Sequence, residues 1–170
     1  MPESLADDEA ALRGAYEEYC AYYNEHKQDT TAPYPGILDL LDELRTAGVR
    51  LGVLTNKDDD AAQGLIRGYF GERLRWVQGR TDVMPPKPAP DMARALLRRM
   101  GIDPDDASQT AGVLMVGDSG VDVRTGVSAG LDACGVLWGF RGREELAQAG
   151  ARHIAARPAE VAQIVLGRRA

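Results

Sequence analysis

Four short apolar runs, at residues 49–54, 76–78, 113–116 and 133–138, alternate with stretches in which apolar residues recur every three or four positions. No other feature restricts the fold as tightly. Nearly continuous apolar strands are buried on both faces, and parallel neighbours need a helical crossover between them. The expected helices lie at 37–47, closed by Gly48, and at 59–69, 90–100, 121–129, 144–148 and 159–166. The pattern specifies an α/β fold, a parallel sheet with helices on both faces. At 170 residues, 44% of them hydrophobic and 27% charged, the chain is long enough for one substantial core.

The segment before residue 33 reads differently. From residue 6 to 27, Leu12, Tyr16, Tyr19, Cys20 and Tyr23 recur at helical spacing behind an acidic start, which is an amphipathic helix. Gln28-Asp-Thr-Thr31 and the Pro33-Tyr-Pro-Gly36 turn end it, so a boundary is expected near residue 30, dividing the chain into 1–32 and 33–170. Twenty Lys and Arg against 26 Asp and Glu give a net charge of −6, which argues against nucleic acid or an anionic membrane surface as partner. No run reaches the roughly 18 apolar residues of a membrane span, and the first residues lack a signal peptide pattern, so a cytoplasmic location is expected. Cys20 and Cys134 form no metal or redox spacing and are expected to be buried free thiols.

In doubly wound sheets, ligands bind outside the carboxyl ends of the strands. Thr55 and Asn56 follow one apolar run, and Gly117-Asp118-Ser119-Gly120-Val121-Asp122 follows another. The second segment puts one carboxylate at the sheet edge and another on the first helical turn, a pair of oxygen ligands suited to Mg²⁺. Lys87 lies in Pro85-Pro-Lys-Pro-Ala-Pro90, where prolines restrict the backbone and so the reach of its ammonium. Such an ammonium neutralises charge on a phosphoryl oxygen. Each motif alone has a plainer reading: Thr-Asn as a helix-capping turn, the carboxylates as a turn and a helix N-terminal acid, the lysine as a solvated side chain.

Together, Leu51-Gly-Val-Leu-Thr-Asn56, Lys87-Pro-Ala-Pro90 and Val113-Leu-Met-Val-Gly-Asp-Ser-Gly-Val-Asp122 resemble, in order, motifs II, III and IV of the haloacid dehalogenase superfamily. The Pro-Tyr-Pro-Gly lead-in and Gly135-Val-Leu-Trp-Gly-Phe-Arg-Gly142 resemble its phosphoglycolate phosphatase branch, and the likeness covers about residues 33–166. This resemblance implies a three-layer core in which Thr55, with the backbone near Asn56, binds the phosphoryl group and Lys87 stabilises a phosphoaspartyl intermediate. It further implies that Asp118 binds Mg²⁺, that Asp122 supports the metal or its water shell, and that the substrate is a small phosphorylated metabolite.

The family begins with a hydrophobic strand ending in Asp-x-Asp-Gly-Thr, whose first Asp is the nucleophile, and this sequence has no such segment. In the family that strand is central, between the strand ending in Thr-Asn and the one ending in Gly-Asp. Its absence implies two unpaired strand edges and makes the first helix the remnant of a helical cap. Asp103-Pro-Asp105 lacks a preceding strand, Asp58-Asp59-Asp60 reads as a helix cap, and His26 and His153 have no triad partners. Trp138, Phe140 and Arg141 suit either the mouth of the site or the core and its loops. Truncation is the expected account, since the other residues needed are intact; a partner chain donating the strand and a pseudoenzyme are the others. The reading is a Mg²⁺-dependent phosphomonoester hydrolase inactive on its own, or alternatively a catalytically silent domain binding phosphate, Mg²⁺ or a partner.

Overall fold

The computed structural model describes residues 9–26 and 32–167. The chain divides into two compact units, Met1–Pro33 and Tyr34–Ala170. In the first, helix α1 spans Glu9–His26, started by the strong helix formers Glu9-Ala-Ala-Leu-Arg13. Leu12, Tyr16 and Tyr22 are all exposed. The side chains of Tyr19, Cys20, Tyr23 and His26, and the expected boundary near residue 30, lie outside what is described.

The second unit runs α2 (Ile37–Thr46), β1 (Gly52–Asp58), α3 (Asp59–Phe70), a 3₁₀ turn (Gly71–Arg73), β2 (Trp76–Arg80), α4 (Asp91–Arg99) and α5 (Ala107–Thr110). It continues with β3 (Leu114–Gly117), α6 (Gly120–Ser128), β4 (Asp132–Val136), α7 (Arg143–Gln148), β5 (His153–Ala155) and α8 (Pro158–Leu166). Every strand pairing is parallel, as the alternating pattern requires. The strands nevertheless form two ladders, β1-β2 and β3-β4-β5.

Side-chain packing places both ladders in one middle layer. Leu40 and Leu44 of α2 and Val161 and Ala162 of α8 pack with Cys134, Val136 and Ala155, and that cluster receives both Leu51, just ahead of β1, and Leu114 of β3. On the other face, Ala93 and Leu97 of α4 pack with Ile102, Ala129 and Leu131, and this cluster receives Leu54 of β1 and Met115 of β3. The surroundings of β1 and β3 therefore feed the same two clusters, yet no ladder joins the two strands. The unpaired edges expected from the sequence are those of β1 and β3.

Both ends of β1 differ from the sequence reading, and two short elements are added to it. Val49 and Leu51 pack on the α2/α8 cluster ahead of the strand, because β2 begins only at Trp76, opposite Gly52, and offers them no partner. At its other end β1 runs through Thr55-Asn56-Lys57 to Asp58. There the pairing jumps from Leu54↔Gln78 to Asp58↔Arg80, so three residues of β1 face Gly79 alone. Helix α5, started by the Asp106 side chain accepting the Ser108 N–H, and the three-residue β5 are too short to show periodicity. Cys134 is a buried free thiol, pushed up to about 11 by burial. Among the described residues no helix is long and apolar enough to cross a membrane.

Candidate active site

The irregular end of β1 is where the site begins, since a bulge bends a strand and re-aims its side chains. Thr55 Oγ1 accepts the Lys57 N–H at 3.1 Å, which leaves its own hydroxyl proton available to a ligand. The Asn56 carboxamide faces the main chain of Lys87: Nδ2 donates to the Lys87 carbonyl at 3.1 Å, and Oδ1 accepts the Lys87 N–H at 2.8 Å. The sequence reading gives the phosphate the backbone near Asn56; the Asn56 side chain goes to the Lys87 loop.

From that loop Lys87 reaches back towards the sheet. Its Nζ donates to the Leu54 carbonyl on β1 at 3.1 Å and to Asp122 Oδ1 at 2.6 Å. Both side chains are nearly buried, at 10% and 12% exposure, so this pair is weakly screened by water. Asp122 stands on the first turn of α6, where the helix dipole favours a carboxylate. Ser119, the N-cap, accepts the Asp122 N–H at 3.3 Å and donates its hydroxyl to Asp122 Oδ2 at 2.6 Å. Gly117, the last residue of β3, has no room for a Cβ because the Asp122 side chain packs against its backbone.

Asp118 is held from another direction. Its Oδ2 accepts the Phe140 N–H at 2.9 Å, and Gly139 must lack a Cβ because the Asp118 side chain occupies that space. Among the described residues nothing donates to Asp118 Oδ1. No cluster of three or more His, Cys, Asp or Glu able to hold a metal occurs among the described residues. Mg²⁺ commonly takes only one or two carboxylates besides waters and substrate oxygens. Asp118 fits that role with its open oxygen, while both oxygens of Asp122 are engaged by Lys87 and Ser119.

The other acidic residues separate from this group. Asp58 makes no capping hydrogen bond; it pairs with Arg80 at 2.6 Å, while Asp59 Oδ1 accepts the Gly79 N–H at 2.7 Å and ties β2 to α3. Asp103 accepts the Asp105 N–H within its loop, and Asp105 pairs with Arg94. His153 lies in β5. Of the three residues left between mouth and core, Trp138 packs on the α2/α8 cluster, Phe140 is 87% exposed, and Arg141 faces Glu145 at 3.7 Å. The sequence reading missed Ser119 and the Phe140 amide as supports. Ser119-x-x-Asp122 carries the spacing of a capping box, a signal for the first; a backbone donor 22 residues downstream leaves none.

Thr55, Lys87, Asp118 and Asp122 thus stand at the carboxyl ends of β1 and β3, on motifs far apart in sequence. Comparisons with known proteins show what the chain as a whole is similar to. The pyrophosphatase PpaX of Bacillus velezensis is 36% identical over 129 residues, covering 75% of this chain and 57% of that protein. The phosphoglycolate phosphatase of Rhodospirillum rubrum is 35% identical over 145 residues, covering 85% of this chain and again 57% of the relative. The chain therefore spans little more than half the length of these two curated relatives. A crystal structure from Lactobacillus delbrueckii subsp. bulgaricus, of a protein proposed to be a phosphoglycolate phosphatase, superposes with a TM-score of 0.86 at 31% identity, covering 97% of this chain and 66% of that one. Residues 3–136 match the haloacid dehalogenase-like hydrolases, and it is to that family that this chain belongs.

Proposed function

We propose that the Tyr34–Ala170 unit is the phosphoryl-binding half of a Mg²⁺-dependent phosphomonoester hydrolase acting on a small phosphorylated metabolite, with phosphoglycolate as the candidate. One observation carries the reading: Lys87 crosses from its loop to lie between the Leu54 carbonyl and Asp122, at the edges that β1 and β3 leave unpaired. A nearly buried ammonium there stabilises charge on a transferring phosphoryl group. Thr55 donates its hydroxyl to a phosphoryl oxygen, and Asp122 holds the Lys87 ammonium in place. Asp118 holds the metal, which when bound supplies further positive charge to the phosphoryl oxygens.

The attacking group comes from a strand seated between β1 and β3, on an upstream segment of a longer polypeptide or on a partner chain. The Ser119 hydroxyl is bound to Asp122 and does not fill that role. The two curated relatives are named for different leaving groups, a phosphate in one and glycolate in the other. What they share is displacement at phosphorus, and the residues gathered here address the phosphoryl side of that step. Leaving-group selection falls to the helical cap, of which α1 is the remnant.

The test is hydrolysis of p-nitrophenyl phosphate with Mg²⁺, by the chain alone and by a fusion carrying an apolar strand that ends in Asp-x-Asp-Gly-Thr. Turnover is expected from the fusion only, and Lys87→Ala should lower it about 10²- to 10³-fold. Activity of the unfused chain that survives Asp118→Ala would overturn the site. Phosphate binding by the fusion without turnover would favour a silent phosphate-binding domain.

A further inference from the structure

We infer that Asn56 is a positioning residue whose carboxamide pins the Lys87 backbone and so sets where the Lys87 ammonium stands. The argument starts from the proline spacing. Pro85, Pro86 and Pro88 have no N–H, so Lys87 carries the one backbone donor in residues 85–88. That donor goes to Asn56 Oδ1 at 2.8 Å, and the carbonyl of the same residue accepts from Asn56 Nδ2 at 3.1 Å. A carboxamide paired with both main-chain groups of one residue copies the pairing of a strand neighbour. It does so on the irregular end of β1, where regular pairing with β2 has lapsed between Leu54 and Asp58.

Asn56 therefore holds Lys87 from its backbone while Leu54 and Asp122 receive the ammonium at the other end of the side chain. The two holds are separable. A long, flexible lysine side chain reaches a fixed point reproducibly only if its backbone is also fixed, and the neighbouring prolines limit conformation without bonding to β1. Both polar ends of the Asn56 carboxamide are taken by the Lys87 main chain, so the effect of this side chain passes through Lys87. The catalytic meaning of the inference rests on the phosphatase reading, but the positioning itself does not.

Competitive labelling tests it without substrate. The chain contains three lysines, Lys27, Lys57 and Lys87, so trace acetylation followed by mass spectrometry resolves each one. The quantity read is the labelling of Lys87 relative to Lys57 in the folded full chain, with thermal melting measured in parallel. Asn56→Ala is expected to raise that ratio about tenfold, the scale set by losing two hydrogen bonds of ordinary net strength. Asn56→Asp keeps the acceptor for the Lys87 N–H and loses the donor to its carbonyl, so a smaller rise of about threefold is expected. Asp122→Asn releases the ammonium end and should raise the ratio as well. A rise in Asp122→Asn with neither Asn56 variant above twofold would overturn the inference and leave the site reading standing. No rise in any variant would overturn the Lys87–Asp122 placement on which both depend.

Discussion

Strands β3 and β4 and the first half of β1 are apolar, and all three strands pair in parallel, yet they are not equally buried. β4 lies between β3 and β5, and its residues from Ala133 to Val136 are all buried. Among the described residues β1 pairs with β2 alone and contains no fully buried residue, while β3 leaves Val116 39% exposed. Composition does not separate β3 from β4; the number of neighbours does. A parallel strand is covered on its faces by helices and at its edges by other strands, and the second cover is absent at the two edges where the site residues gather. Between those edges, among the described residues, Lys87 bonds to the Leu54 carbonyl on one side and pairs with Asp122 on the other. Removing one partner leaves a nearly buried charge uncompensated, so Asp122→Ala should cost about 3–5 kcal/mol in urea unfolding, the largest effect expected of any single change here. A loss below about 1 kcal/mol would show that Lys87 and Asp122 do not connect the two half-sheets.

The paired and unpaired strands can be compared with one substitution made in each. Val136 is 5% exposed at the end of β4, against 39% for Val116 of β3. Val136→Ala removes two packed methyl groups and should cost about 2–3 kcal/mol. Val116→Ala should cost less than about 1 kcal/mol, since much of its surface is already in water. Fusing the strand used in the activity test should narrow that difference, because Val116 would then gain cover. Equal costs in the unfused chain would mean that β3 is not an open edge.

Much of this was legible in the sequence, for identifiable reasons. Apolar runs and helical spacing located β1 to β4 and their helices because each element buries a repeated face, and periodicity reports faces. The expectation of open edges on β1 and β3 followed from the family resemblance and is met by the two ladders. Pairing and side-chain partnership were not legible, because they depend on residues distant in the chain. The bulge at Thr55-Asn56-Lys57 exists only relative to β2, and Asn56 became a clamp only because Lys87, 31 residues later, presents its backbone. Asp58 and Asp59 show the same limit: Asp58 stands at the N-cap of α3 and Asp59 in its first turn, as read, but their carboxylates go to Arg80 and to the Gly79 N–H.

Acid provides the mildest probe of the two half-sheets, through one carboxylate on each side. Near the β1-β2 ladder, Asp42 of α2 takes Arg73 in a two-pronged pair, at 2.7 and 2.9 Å, and this hydrogen bonding holds its pKa below the usual value. Beside the β3-β4-β5 ladder, Glu160 of α8 accepts the Ala156 N–H at 2.8 Å and Arg157 Nε at 3.0 Å; the backbone hydrogen bond is the larger cause of its lowered pKa. A carboxylate lowered by folding stabilises the protein at pH above its unfolded pKa, about 3.9 for Asp and 4.3 for Glu. That stabilisation fades as pH falls through the lower folded value. Melting temperatures should therefore be nearly level from pH 7 to 5 as far as these groups contribute, and fall below about pH 4. Asp42→Asn and Glu160→Gln should each lower the melting temperature slightly at pH 7 and make its decline in acid shallower, because the variant has one proton fewer to take up. A wild-type slope retained in Asp42→Asn would mean that the Arg73 pair does not hold α2 to the two-stranded side.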